Sequence, residues 1–233
     1  MRAGGGGKGG KDGKGGKDGN VGRGARGAPF ARQGVEASPL EELPVEFVGS
    51  FPDPLVALEP PLPEIALIGR SNVGKSSLLN ALLGRPLARI SGTPGKTTLL
   101  NAYRLPGFYL VDLPGYGFAR AGKAARAGYR TLVTRYLRER STLAGVIWLL
   151  DARHHPSSDD LEMQDLLSES GRPVLAVLTK GDKLTRSAQQ LHVREIAAAL
   201  GIPEEQIQLT SSRSHSGIAD LAASVLAALG GEQ

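Results

Sequence analysis

Nine consecutive residues, Gly69-Arg70-Ser71-Asn72-Val73-Gly74-Lys75-Ser76-Ser77, constrain this chain more than any other stretch. The apolar run Ile65 to Ile68 precedes them and Leu78 to Leu83 follows, so the order is strand, glycine-rich loop, helix. In that setting G-x-x-x-x-G-K-[ST] is a phosphate cradle. The glycines let the backbone curl until several N–H groups point at phosphate oxygens, and the helix adds the positive end of its dipole. Lys75 is placed to reach the outer phosphates, and the Ser76 hydroxyl to sit on Mg²⁺. Such a loop implies a nucleoside triphosphate.

A chain of 233 residues has room for one α/β domain with a full core and a tail besides. Cysteine is absent, which excludes a disulfide framework and thiolate metal sites and suits the cytoplasm. No apolar run nears the roughly 18 residues of a membrane span, and the N-terminus lacks the apolar middle of a secretory signal. A cytoplasmic protein without a membrane partner is expected.

The formal charge of +5 is concentrated in one place. Residues 1–33 hold eight Lys and Arg against Asp12 and Asp18, a surplus of six, which leaves −1 on the other 200. This tail is nearly all Gly, Lys, Asp, Arg and Ala, with Gly-Gly-Lys-Asp-Gly at 9–13 and again at 15–19. It has almost nothing to bury, and disorder is expected. A cationic, glycine-rich tail can touch RNA phosphates through a salt-sensitive attraction, or serve only as a solubilising extension.

Three segments follow from composition: the tail at 1–33, a lead-in at 34–63, and the nucleotide-binding domain at 64–233. The lead-in carries one strand candidate, Val45 to Val48, and then five prolines between Pro52 and Pro63, which reads as an edge strand or a collar before the first core strand. Asn101–Leu105 and Phe108–Val111 form a hairpin pattern about Pro106-Gly107. A basic helix is expected over Lys123–Arg140. Strand candidates at 145–150, 174–178 and 206–209 then alternate with helices at 159–168, 187–200 and 218–229. Continuous apolar strands alternating with amphipathic helices predict a mostly parallel sheet with helices on both faces. Ligands in such a sheet bind at the carboxyl ends of the strands, where the motifs fall.

The second motif, Asp112-Leu113-Pro114-Gly115, closes the strand 108–111 and matches D-x-x-G. Asp112 is suited to hold Mg²⁺, mostly through water, and the Gly115 N–H to sense a γ-phosphate. The third, Thr179-Lys180-Gly181-Asp182, follows the strand 174–178 and matches [NT]-K-x-D. A carboxylate at Asp182 accepts from both the ring N–H and the exocyclic amine of guanine, a donor pair that adenine lacks. The Lys180 stem can lie across the base. Between these motifs, Thr93-Pro94-Gly95-Lys96-Thr97-Thr98 contains three threonines able to give Mg²⁺ a second oxygen, and spacing does not choose among them. Thr210-Ser211-Ser212, after the last strand, is a short polar loop that resembles the one GTPases place beside the guanine carbonyl.

With these motifs in one order, and with Asp151-Ala-Arg-His-His-Pro-Ser-Ser-Asp-Asp160 between them, the chain resembles the EngB (YihA/YsxC) family of TRAFAC-class ribosome-assembly GTPases from about Val45 to Leu229. The resemblance implies a Ras-like P-loop GTPase domain that binds GTP and GDP, requires Mg²⁺ and hydrolyses GTP. It implies a role in maturing the large ribosomal subunit, with its precursor and rRNA as partners, and in cell division and septation. It selects Thr97, beside Ser76, as the metal ligand. It also sets the nucleotide contacts as 69–77, Gly95 to Leu99, Asp112 to Gly115, Thr179 to Asp182 and Thr210 to Ser212. A monomer is expected.

Tyr116 stands where a Ras-like enzyme has the glutamine that positions water. A phenol cannot reproduce the paired donor and acceptor of an amide, so hydrolysis by the chain alone is expected to be slow. Asn72 resembles the potassium-coordinating Asn of MnmE-like GTPases, which makes K⁺ a candidate second cation. The catalytic set is therefore Lys75, Thr97, Gly115 and Asn72. Lys123, Arg126, Arg130, Arg135, Arg138 and Arg140 on the basic helix form either a candidate RNA-facing surface or a solvated basic face, and spacing does not choose. The rival readings are a related GTPase acting on tRNA or another RNA particle, a P-loop kinase or ATPase, and a GTP-binding scaffold with negligible turnover.

Overall fold

A computed structural model describes residues 1, 36–88, 99–117 and 122–230. The expectations for the tail, and for Thr93, Gly95, Lys96, Thr97 and Thr98, lie outside the described residues. The described strands are β1 (Glu46–Phe51), β2 (Glu64–Gly69), β3 (Leu100–Leu105), β4 (Phe108–Asp112), β5 (Leu143–Asp151), β6 (Val174–Thr179) and β7 (Ile207–Leu209). The helices are α1 (Lys75–Leu82), α2 (Lys123–Glu139), α3 (Ser158–Ser170), α4 (Arg186–Leu200) and α5 (Ile218–Gly230).

Among the described residues one sheet runs in the order β1-β3-β4-β2-β5-β6-β7. β3 pairs antiparallel with both β1 and β4, and every other pairing is parallel. All six residues of β2 are buried, as a central parallel strand covered on both faces requires. Alternation divides its side chains. Ile65 and Leu67 join Ile147, Leu149 and Val177 against Leu78 and Leu82 of α1 and Leu221 and Val225 of α5. Ala66 and Ile68 join Trp148, Leu150 and Leu178 against Tyr136 of α2, Met163 of α3 and Ile196 of α4. Each fully buried side chain of this size contributes roughly 1.5–3 kcal/mol.

Element edges differ from the sequence expectation where pairing extends a run. β1 starts at Glu46 and continues to Phe51, because after a bulge between Phe47 and Gly49 it keeps pairing with β3 as far as Leu100. β1 is the edge strand that the prolines implied, and it joins the lead-in to the sheet. β5 begins at Leu143, two residues early, since Leu143 pairs with Glu64.

The polar end of the sheet opposite the motifs is closed by ions. Glu64, 1 % exposed, accepts from Tyr136 Oη (2.8 Å), Arg140 Nε (2.8 Å) and Thr142 Oγ1 (2.5 Å). Arg140 also donates to Val56 O, and Arg172 caps the end of α2 by donating to the carbonyls of Leu137, Arg140 and Leu143. A buried carboxylate with this many donors is stable only while they remain. Arg140 therefore leaves the candidate RNA-facing surface. Three others on that helix pair with acids at the surface: Arg130 with Glu162, Arg135 with Glu139 and Arg138 with Glu169.

Candidate functional site: a nucleotide cleft at the strand ends

The helix that follows the phosphate loop has an open N-terminus. Its cap position is Gly74 at φ 110°, no side chain caps it, and no acid lies in the first turn. By contrast, Ser157 and Asp160 close a capping box on α3, and Thr185 caps α4. The free N–H groups of α1 keep their positive end for an anion. Asn72, at φ 63°, makes the other left-handed turn of the loop. A Cβ at Gly69 would lie 2.8 Å from Val73 Cγ1 and 3.0 Å from Leu149 O, so glycine lets the loop fold against β5.

Lys75 Nζ sits 2.5 Å from Asp112 Oδ1, with both side chains nearly buried. The lysine of the first motif thus meets the acid of the second, and each charge is neutralised inside the protein. The loop beyond Asp112 is stitched to the phosphate loop. Leu113 N donates to Leu67 O (3.1 Å), Tyr116 N to Gly69 O (3.2 Å) and Ser71 N to Tyr116 O (2.8 Å). A Cβ on Gly115 would come within 3.0 Å of Ser71 N and Oγ.

The phenol of Tyr116 does not face this cleft. Its hydroxyl donates to Asp160 Oδ1 (2.8 Å) and accepts from Trp148 Nε1 (2.9 Å), inside the core between β5 and α3. Burial, followed by the nearby Asp160 charge, raises the phenol far above its usual pKa, so it stays a donor. Asp160 also accepts from Ser157 N and Oγ. Sequence reasoning missed this connection, although Ser157-Ser-Asp-Asp160 carries the capping-box spacing that could have shown half of it.

The loop at 179–182 leans on the glycine-rich loop from the other side. Thr179 Oγ1 lies 2.6 Å from Val73 O and 3.1 Å from Leu150 O. Lys180 Nζ donates to Asn72 O (2.7 Å) and to Asp151 Oδ2 (2.8 Å). Arg153 grips the same carboxylate with two donors, at 2.8 and 2.7 Å. Burial raises the Asp151 carboxyl, but the hydrogen bonds from Arg153 and Lys180 outweigh it and hold the group well below the usual carboxylate range. Asp151 and Arg153 were not singled out as functional residues in the sequence. Asp182 accepts from Ser211 Oγ at 2.8 Å, which orients one oxygen and leaves acceptor capacity for a base. Thr179 and Thr210 are 2 % and 1 % exposed. Both bond to backbone carbonyls and shape the loops from inside. Beside the phosphate loop a cleft of about 250 Å³ opens among Arg70, Asn72, Asp151, Arg153, His155 and Lys180.

Groups suited to phosphates, to a metal-held γ-phosphate and to a guanine edge thus converge on neighbouring strand ends of one sheet. That is the layout of a P-loop GTPase. A family model described as a 50S ribosome-binding GTPase matches residues 64–180. A protein of Syntrophomonas wolfei named as a probable GTP-binding protein EngB is 46 % identical over 166 residues, 70 % of this chain and 86 % of that one. A namesake in Heliobacterium modesticaldum is 49 % identical over 146 residues, 62 % of this chain and 71 % of that one. The chain belongs to the EngB family of GTP-binding proteins, and it is a GTPase.

Solved structures carry the same fold. A crystal structure described as a probable GTP-binding protein engB aligns with a TM-score of 0.60 at 21 % identity, covering 71 % of this chain and 98 % of that one. A point variant of Aquifex aeolicus Era, solved with GDP and aluminium fluoride, aligns at 0.59 and 24 % identity over 72 % of this chain and 57 % of that one. No described helix is long and apolar enough to cross a membrane.

Proposed function

We propose that this GTPase is a nucleotide switch in assembly of the large ribosomal subunit. It binds the subunit precursor and its rRNA in one nucleotide state, as a cytoplasmic monomer, and cell division and septation depend on it. The observation that carries this reading is the seam between the two loops, Ser71 N to Tyr116 O and Tyr116 N to Gly69 O. Any movement of Gly115 toward a γ-phosphate is thereby coupled to the phosphate loop. The description of the matching family model supports the ribosomal partner.

In this reading the N–H groups of Asn72 and of 74–76 and the Lys75 ammonium hold the phosphates. Asp182 and Ser211 select guanine, and the Lys180 stem covers the base. Asp112 at the lysine and the Ser76 hydroxyl in the first turn of α1 are hard oxygen donors, a set that fits Mg²⁺. Ser76 and Thr97 would hold the ion directly and Asp112 through water. When bound, Mg²⁺ supplies charge that neutralises the outer phosphates. Gly115 N–H and Asn72 face the γ-phosphate side, with Asn72 the candidate ligand for K⁺. With the Tyr116 phenol held in the core, no side chain at that position orients water, so turnover is slow until a cation or the particle completes the site.

Two measurements test this. Wild type is expected to bind GTP and GDP far more tightly than ATP, and Asp182→Ala to lose most of that preference; equal ATP binding would sink the guanine assignment. Co-sedimentation with large-subunit particles is expected with a non-hydrolysable GTP analogue and to weaken with GDP. Indifference to nucleotide would end the switch reading.

A further inference from the structure

Ser71 occupies the third position of the phosphate loop, and its main chain is committed. Its N–H donates to Tyr116 O at 2.8 Å, which presses the residue against the loop that carries Gly115. Its side chain is not committed. Ser71 Oγ is buried and has no hydrogen-bond partner among the described residues. A buried hydroxyl without a partner disfavours the folded protein, and such groups are rare enough to require a reason.

The surroundings say what kind of partner the hydroxyl suits. It lies on a loop whose backbone donors and nearby lysine are arranged for anions. A Cβ built on Gly115 would be 3.0 Å from this oxygen, so the hydroxyl borders the glycine assigned to sense the γ-phosphate. The residues at the start of α1, Gly74 to Ser76, are the ones assigned to the inner phosphates. Ser71 stands further out, on the Gly115 side. We infer that Ser71 Oγ is a catalytic hydroxyl of the triphosphate state, donating a hydrogen bond to a γ-phosphate oxygen that GDP does not have.

This rests on the GTPase reading and supplies a side chain where Tyr116 withholds one. In hydrolysis the water oxygen bonds to the γ-phosphorus, the bond to the β–γ bridging oxygen breaks, that electron pair leaves on GDP, and the proton lost by the water ends on the released phosphate. Ser71 exchanges no atoms. Its donor meets charge that spreads over the equatorial γ-oxygens as the bond loosens, and it is held ready before the reaction begins. The unpaired hydroxyl is thus a local cost in stability kept for use with one nucleotide.

Ser71→Ala in the full chain tests the inference through three readouts. GDP affinity is expected to stay within about two-fold, while affinity for a non-hydrolysable GTP analogue and the single-turnover hydrolysis rate each fall about ten-fold, the size of one lost bond to a charged oxygen. Unfolding of the nucleotide-free variant is expected at the same temperature or higher, since an unpaired buried polar atom has been removed. Ser71→Gly is expected to repeat the split, and it guards against a misplaced methyl group. Equal loss of GDP and analogue would make Ser71 a shaper of the loop and overturn the proposal. So would an unchanged rate in a folded variant. If wild type itself fails to turn over GTP, the turnover assignment fails, and the affinity split still decides Ser71.

Discussion

The Tyr116 hydroxyl donates to Asp160 across 44 residues of chain, at 2.8 Å and out of reach of solvent. The residue that follows Gly115, the proposed γ-phosphate sensor, is therefore fastened to the first turn of α3, and the lone tryptophan, Trp148, donates to the same hydroxyl. Movement at Gly115 must either stretch this contact or carry α3 with it.

Tyr116→Phe leaves Asp160 Oδ1 and Trp148 Nε1 each short of a partner, a loss of roughly 1–3 kcal/mol. A domain of this size should then melt about 2–8 °C lower, with altered emission from Trp148 in the folded state. An unchanged melting temperature would show that the contact carries no stability.

Asp151→Asn removes the charge that gathers Arg153 and Lys180. GTP and GDP affinities are expected to fall together by about ten-fold, because Lys180 also holds Asn72 O in the phosphate loop. The folded carboxyl is depressed below its unfolded value, so its contribution is fully present at neutral pH and lost as pH falls through the acid range below about 4. Melting curves of wild type and variant should converge there. A gap that widens in acid would contradict the assignment.

Arg140→Ala strands the Glu64 carboxylate among partners that no longer neutralise it, at an expected cost of about 3–5 kcal/mol in urea unfolding. Nucleotide affinity of the folded fraction should not change, since the pair sits at the opposite ends of the strands from the motifs.

The two tightly packed glycines should separate by nucleotide. Gly69→Ala forces a Cβ against Val73 and the Leu149 backbone, and binding of both GTP and GDP should be lost. Gly115→Ala forces one against Ser71, and GDP should still bind while the preference for the GTP analogue disappears. Identical profiles from isothermal titration of the two variants would refute this division.

Hydrolysis measured in KCl should exceed that in NaCl several-fold if Asn72 helps hold K⁺, and Asn72→Ala should remove the difference. Equal rates in the two salts would remove potassium from the mechanism.

Much of the fold was legible because its signals are local. The cradle at 69–77 is contiguous, its glycines and lysine lie a few residues apart, and an uncapped helix start can be read from the missing acids after Gly74. Apolar runs such as Ile65 to Ile68 announce buried parallel strands without reference to anything distant. Arg140 was misassigned to a basic surface for the converse reason: an arginine beside Arg138 looks the same whether its partner is water or a glutamate 76 residues away.

The sequence alone therefore determined the order of the motifs, the layered α/β class and the chemistry each loop can offer, since residue type and near-neighbour spacing suffice for these. Only the tertiary structure decided that Lys75 faces Asp112, that Lys180 ties Asp151 to Asn72, that Tyr116 turns inward to Asp160, and that Ser71 Oγ has no partner among the described residues. Those outcomes depend on which strand ends the sheet brings side by side, and a polar side chain takes its role from the partners that packing delivers within about 3 Å.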